Sequence, residues 1–255
     1  MRIGIHTSIA GGLERAARER LGLGPLAVHD IYLINLAAAD EGVRAKSVAA
    51  FRREIERALA IGAEYLIFHP GSCRGQTLEQ GIGTLARSLG EAAHGVRRRG
   101  LMLLVENTAG QGSALGRRFE ELAEIRRLAA RWAPFEIIFC LDTAHCLAAG
   151  YDVATKVGLE STLAEAEGTL GLESVKVIHA NDSKAPLGAR VDRHEHIGAG
   201  YIGISGFRRI LQHSALRDKA FILETPIEHD GDDRRNLDTL KSLCRRSRTI
   251  TSRSS

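Results

Sequence analysis

Seven short apolar runs, each closing on a polar cluster, set the pattern of this chain: RIGIHTS (2–8), PLAVHD (25–30), EYLIFHPGS (64–72), LMLLVENTAG (101–110), EIIFCLDTAH (136–145), VKVIHANDS (175–183) and AFILETP (220–226). Between most of them apolar residues step by three and four, the period of a helix buried along one face. Val48, Phe51, Ile55 and Leu59 do so, as do Leu78, Ile82, Leu85 and Leu89, and Leu122, Ile125 and Leu128. Thr77 and Gln80 have the spacing of a capping box, and Gly62 and Gly100 stand where helix C-terminal caps belong. Strand and helix in alternation imply a parallel sheet covered by helices, and strands apolar throughout imply burial on both faces. The runs start at residues 2, 25, 64, 101, 136, 175 and 220, the rhythm of a repeated βα barrel. The expected fold is therefore α/β, a TIM-barrel-like (β/α) barrel with seven countable strands instead of eight. The short first interval leaves room for one helix, about Leu13 to Leu21, and for no additional strand. A last helix is expected around Asn236 to Cys244, and the basic residues 246–255 read as a disordered tail. Residues 1–245 then form a single barrel domain.

Composition narrows the class. A chain of 255 residues at 44% hydrophobic supports one large core, not two. The net charge of +4 permits a polyanionic partner without requiring one. No run approaches the roughly 18 apolar residues of a membrane helix, and charge interrupts the N-terminal stretch before any signal-peptide core forms. Cys73, Cys140, Cys146 and Cys244 include no CxxC pair, so neither a disulfide framework nor a cysteine zinc finger is expected. These features point to a cytoplasmic protein without a membrane partner.

The chemistry lies at the strand ends. Nearly every strand after the first finishes on a group able to bind a metal: His29, His69, Glu106, Asp142, His179 and Glu224. Nearby loops add His145, three residues after Asp142, and the pair Asp192 and His194. All C-terminal strand ends of a parallel barrel open onto one face, so these residues should converge. Imidazoles and carboxylates together suit zinc or manganese, and so many acids would repel one another without cations, which implies more than one ion. Taken singly, each has a plainer reading: a strand-end histidine as a surface group, Glu106 or Asp142 as a helix cap. The pattern on six successive strands favours the metal reading. Phosphates are natural targets of such clusters, and the glycine-rich stretch 109–116 could bring backbone amides to an anion. His6, at the end of the first run, is placed as a partner that orients a ligand. Trp132 is expected to pack a helix end.

The strings HPGS (69–72), ENTAGQGSALG (106–116), CLDTAHCLAAGYD (140–152), HANDSK (179–184), RVDRHEHIGAGYIG (190–203) and LETP (223–226) resemble, in order, those of the endonuclease IV family. Members of that family are apurinic/apyrimidinic endonucleases built as TIM barrels with three zinc ions. The resemblance implies one zinc on His29, His69 and Glu106, and a second on Glu106, Asp142, His179 and Glu224, with Glu106 bridging. The third would take His145, Asp192 and His194. Glu106 and Glu224 would belong to the catalytic centre, and manganese is an alternative at the carboxylate-rich position. The implied reaction, a step of DNA base-excision repair, hydrolyses the phosphodiester 5′ to an abasic site in double-stranded DNA and leaves a 3′-hydroxyl. IYLINLA (31–37) matches the family loop that enters the minor groove, where Tyr32 and Leu33 would fill the gap at the lesion.

One departure stands out. Gly11, Gly12 and Leu13 lie only 16 residues before His29, and LERAARER joins the start of the first family helix to the end of the second. The βα unit thus missing carries no zinc ligand in the family but does carry a DNA-contacting loop. Metal binding is expected to survive and DNA affinity or abasic-site selectivity to weaken. Removing a stave also leaves strand edges unpaired unless the barrel contracts, opens or pairs with another chain. Two other readings remain: a xylose-isomerase-like sugar isomerase or epimerase, for which Glu106, Asp142, His179 and Glu224 alone would suffice, and a non-catalytic DNA-binding remnant.

Overall fold

The computed structural model describes residues 2–5, 22, 24–97 and 99–244. All seven apolar runs contain strands: β1 (Arg2–Ile5), β2 (Ala27–His29), β3 (Tyr65–Phe68), β4 (Met102–Glu106), β5 (Ile137–Asp142), β6 (Val175–His179) and, after a hairpin of β7 (Asp182–Ser183) and β8 (His194–Glu195), β9 (Ala220–Leu223). The seven form one parallel sheet in the order β1-β9-β6-β5-β4-β3-β2. Among the described residues β1 pairs only with β9 and β2 only with β3, so this array is open between them. The expected helix at 13–21, the Gly11–Leu13 motif, His6 and the tail 246–255 lie outside the described residues.

The pleat sorts side chains onto two faces. Ile67, Leu104, Ile138, Cys140, Val177 and Ala220 point inward and pack together inside the curled sheet, with Ala27, Tyr65, Met102 and Ile222 around them. The alternate residues Leu66, Leu103, Val105, Phe139 and Phe221 face the helices and form the larger core with Phe51, Ile55, Leu85, Leu89, Phe119, Leu122 and Phe207.

The helices are α1 (Glu41–Ala60), α2 (Leu78–Ala93), α3 (Phe119–Ala129), α4 (Thr143–Ala149), α5 (Lys156–Thr169), α6 (Gly203–Gln212) and α7 (Asp232–Cys244). The capping box is present: Thr77 Oγ1 accepts from Gln80 N at 3.2 Å, and Thr77 N donates to Gln80 Oε1 at 3.0 Å. Gly62 follows α1 in the left-handed region, φ 69°. Gly100 caps no helix, because α2 ends seven residues earlier; Gly100 turns the chain into β4 instead, with φ 88°. Strict alternation also fails between β5 and β6, where two helices follow one strand. Helix α7 starts four residues before Asn236, since Asp232 accepts from Glu228 N and His229 N at 2.9 and 2.8 Å. Trp132 follows α3 and lies with its Cβ and carbonyl against Gly90 of α2, but the residue as a whole is 58% exposed.

Thr77→Ala removes one half of the box and is expected to cost about 1 kcal/mol. A shifted urea midpoint at unchanged slope would show it.

Candidate metal centre

Each strand-end residue continues the inward-facing parity of its strand. His29 stands two residues beyond Ala27, His69 two beyond Ile67, Glu106 two beyond Leu104, Asp142 two beyond Cys140, His179 two beyond Val177 and Glu224 two beyond Ile222. A side-chain period of two therefore stacks all six as one layer above the apolar interior. Register sets Asp142 opposite His179 on β5 and β6, whereas His29 lies opposite Ile67, Glu106 opposite Cys140 and His179 opposite Ile222, so at those pairs the next donor stands two residues further along. His145 enters on the first turn of α4. His194 arrives on β8, whose partner β7 follows β6 by two residues; Ser183 lies opposite His194. One fully buried carboxylate, Asp182, holds the far side of this hairpin by accepting from the backbone N–H groups of Ser183, Gly198, Gly200, Ile202 and Gly203 at 2.8–3.2 Å.

Glu106 sits at the centre with no exposed surface. Its Oε2 lies 2.9 Å from His29 Nε2 and 3.6 Å from His69 Nε2, and its Oε1 lies 2.7 Å from His179 Nδ1. His179 Nδ1 is also 3.0 Å from Glu224 Oε2. To one side, His145 Nε2 stands 3.2 Å from Asp192 Oδ1 and 3.4 Å from His194 Nε2, and His194 Nε2 is 3.6 Å from Asp192 Oδ1. Overlapping donor groups result, among them His29, His69 and Glu106; Glu106, Asp142, His179 and Glu224; and His145 and His194 with Asp192 on one side and Asp142 on the other; others join His29 to His179 and Glu224, and Cys140 to Glu106 and His179. All nine residues singled out in the sequence come together.

Ring orientation is set from behind. His29 Nδ1, His145 Nδ1 and His194 Nδ1 face the backbone carbonyls of Asp30, Asn107 and Glu224 at 2.9, 2.9 and 3.1 Å. A carbonyl only accepts, so each Nδ1 carries a proton and Nε2 is the nitrogen turned to the cluster. Asp142 is a helix cap as well as a member of the cluster, because its Oδ1 accepts from His145 N at 2.8 Å. The plainer reading of Asp142 therefore also holds.

Two asparagines escaped the sequence reading. Asn107 Oδ1 accepts from Asp142 N at 2.6 Å, and its Nδ2 donates to Asp142 O at 3.3 Å. Asn181 Nδ2 donates to Asp142 Oδ2 at 2.5 Å. Their signal was position: each lies within two residues of a strand-end ligand candidate, in the strings ENT and HAN. The glycine-rich stretch is less available to anions than composition suggests. Gly110 N is taken by Thr108, Leu115 N by Gly71, and Gly116 N by Glu121.

The electrostatics are those of an interlocked salt. Burial alone would strip the proton from His29, yet hydrogen bonds to Asp30 and Glu106 raise its pKa well above the usual value. Burial likewise opposes charge on His179, which faces the Cys140 thiol and the Glu106 and Glu224 carboxylates and is raised well above its ordinary value. Burial pushes that thiol up to about 12, so the charge His179 meets at neutral pH is carboxylate. His145 is raised to about 10 against its burial, chiefly by Asp142 and Asp192. Burial works against ionisation of Glu224 and Asp192 too, but His179 and His145 hold them down at about 2. His69 shifts the other way, lowered by burial.

The donor set fits metal ions. Two N or O ligands on one tetrahedral zinc at bonds of about 2.05 Å lie about 3.4 Å apart. The mutual distances of His145, Asp192 and His194 are 3.2, 3.4 and 3.6 Å. The groups built around Glu106 have their donor atoms within 4.8 Å of one another.

A curled parallel sheet with metal-ligand donors at its C-terminal mouth defines a xylose-isomerase-like TIM barrel, and the family model described as "Xylose isomerase-like TIM barrel" matches residues 12–245. A D-tagatose 3-epimerase-like protein shares that fold at TM-score 0.67 and 21% identity, covering 90% of this chain and 80% of that one. Much more similar is a protein of Solibacter usitatus named "Probable endonuclease 4", 58% identical over 228 residues, which are 89% of this chain and 79% of that protein. One of the same name from Aquifex aeolicus is 42% identical over 86% of this chain and 76% of its own length. The crystal structure of endonuclease IV from Thermus thermophilus superposes with TM-score 0.77 at 41% identity, covering 90% of this chain and 79% of that one. The chain belongs to the endonuclease IV family.

Metal binding must expel the protons that His29, His145 and His179 hold. Zinc titrated at pH 7.5 into metal-free protein is expected to release protons, read as a calorimetric enthalpy that changes with the buffer's ionisation enthalpy. The metal-free fold should run the opposite way. The His145 ion pairs contribute fully below the unfolded-state pKa of about 6.5 and are lost as pH rises through about 10. Melting temperature in chelator should therefore fall across that window.

Proposed function

We propose that this protein is a metal-dependent endonuclease of DNA base-excision repair that hydrolyses the phosphodiester 5′ to an abasic site in duplex DNA and leaves a 3′-hydroxyl. The observation that carries this reading is the convergence of nine donors as three groups, two of which share Glu106. In it, His29, His69 and Glu106 hold one zinc; Glu106, Asp142, His179 and Glu224 hold a second; His145, Asp192 and His194 hold a third. Manganese is an alternative at the second position, which is richest in carboxylates. When bound, such ions activate water and neutralise charge on phosphate and leaving oxygen.

The chain's own residues do the rest. Buried Glu106 sets the spacing between two of the groups, and the carbonyls behind His29, His145 and His194 keep their Nε2 atoms aimed inward. Glu106 and Glu224 belong to the catalytic centre in this reading. Ile31, Tyr32 and Leu33 follow β2 directly and are 51, 88 and 69% exposed. That exposure suits an apolar wedge entering the minor groove beside the lesion. The free thiols of Cys73, Cys140 and Cys146 suit a cytoplasmic location, and no helix among the described residues is long and apolar enough to cross a membrane. A single-metal isomerase would leave His29, His69, His145, Asp192 and His194 without a task, which counts against that reading. A non-catalytic remnant would have had no need to keep all nine donors.

Zinc-loaded protein should nick a duplex with one abasic site, giving a 3′ end that a polymerase extends, and should leave the intact duplex uncut. A metal-loaded protein that leaves the abasic duplex whole would overturn the proposal, and a ketose activity with one ion per chain would replace it with the isomerase. Cleavage with little preference for the lesion is the outcome expected if the missing βα unit carried selectivity. Glu106→Gln should lower kcat/KM by about 1,000-fold, the equivalent of about 4 kcal/mol of charge stabilisation. Tyr32→Ala should raise KM for abasic DNA by roughly 5- to 100-fold, the range of one lost base–aromatic stack, with kcat less affected.

A further inference from the structure

Asn181 has no exposed surface and spends every polar group inside the cluster. Its backbone is locked to Thr143, whose hydroxyl donates to Asn181 O at 2.7 Å and accepts from Asn181 N at 3.0 Å. Its side-chain Nδ2 donates to Asp142 Oδ2 at 2.5 Å, and its Oδ1 accepts from Glu224 N at 2.8 Å. The amide orientation is forced, because a backbone N–H can only donate and a carboxylate oxygen accepts. One amide thus ties the carboxylate at the end of β5 to the backbone of the carboxylate residue after β9. Asp142 also has a competing attraction: its Oδ2 lies 3.7 Å from His194 Nε2, so the same carboxylate belongs geometrically to two donor groups.

We propose that Asn181 is a positioning residue that locks Asp142 and Glu224 into one frame and so sets the affinity of the metal site they share with Glu106 and His179. The inference rests on the metal-centre reading above. By holding Oδ2, the amide keeps Asp142 with Glu224 rather than releasing it toward His145 and His194. Removing the amide frees Asp142 to turn and leaves Glu224 N without its acceptor, so the shared site weakens first and His29, His69 and Glu106 keep theirs.

The test compares wild type with Asn181→Asp, which keeps the shape but sets a carboxylate against Asp142, and Asn181→Leu, which keeps the volume but loses both hydrogen bonds. Zinc per chain is counted after dialysis against graded chelator, and cobalt(II) spectra follow the coordination of each site. Wild type should retain three ions. Both variants should lose affinity at one site by about 10- to 100-fold, the range for partners that orient metal ligands, with the other sites unchanged. Wild-type zinc affinity in either folded variant overturns the proposal, and so does an equal loss at every site, which marks a general structural role. Should Asn181→Leu not fold, Asn181→Asp decides alone. A wild type that retains no zinc removes the metal-centre reading itself and this inference with it.

Discussion

A single carboxylate, Glu106, is buried without any exposed surface at the mouth of the curled sheet, and the rest of the site is arranged around that charge. Desolvating a carboxylate costs several kcal/mol even in a relaxed protein interior, so partners must surround it. Imidazoles of His29, His69 and His179 do so from three different strands, within 2.7–3.6 Å. A parallel barrel is suited to this task, since each strand delivers its last inward-facing residue to the same layer. The apolar floor of Ile67, Leu104, Ile138, Cys140 and Val177 beneath that layer keeps water out from below and so strengthens every charge interaction above it.

Around the charged layer lies a frame that spends backbone groups rather than further charges. Three carbonyls orient three imidazoles, two asparagines bind Asp142, and the Asp182 carboxylate gathers five N–H groups to fasten the hairpin that carries His194. Such a frame leaves the histidines and carboxylates facing one another as ion pairs until a stronger cation displaces the protons between them. The donors come from the ends of β2, β3, β4, β5, β6 and β9, from α4, and from β8 and the stretch just before it, and none comes from the interval between β1 and β2.

Much of the fold was legible beforehand because burial imposes a period. All seven strands and the helices at Val48–Leu59, Leu78–Leu89 and Leu122–Leu128 follow from apolar spacing, and the Thr77 box from its side-chain chemistry. Where the reading failed, no apolar period was at stake. The β7–β8 hairpin is held by polar contacts, Gly100 serves a turn rather than a helix end, and Trp132 is more exposed than buried. Asn107 and Asn181 went unnoticed for a similar reason: an amide beside a strand end looks like any loop residue until its partners are known.

By itself the sequence determined that His29, His69, Glu106, Asp142, His179 and Glu224 share one face, because strand ends in a parallel barrel point the same way and side chains alternate with a period of two. It also determined the family, through long motifs in order. Only the tertiary structure decided which donors touch which, that Asp142 stands between two groups, that Tyr32 and Leu33 project into solvent, and that the described sheet stays open between β1 and β2. Those outcomes depend on distances of a few tenths of an ångström and on contacts between residues far apart in the chain, which a one-dimensional pattern does not encode.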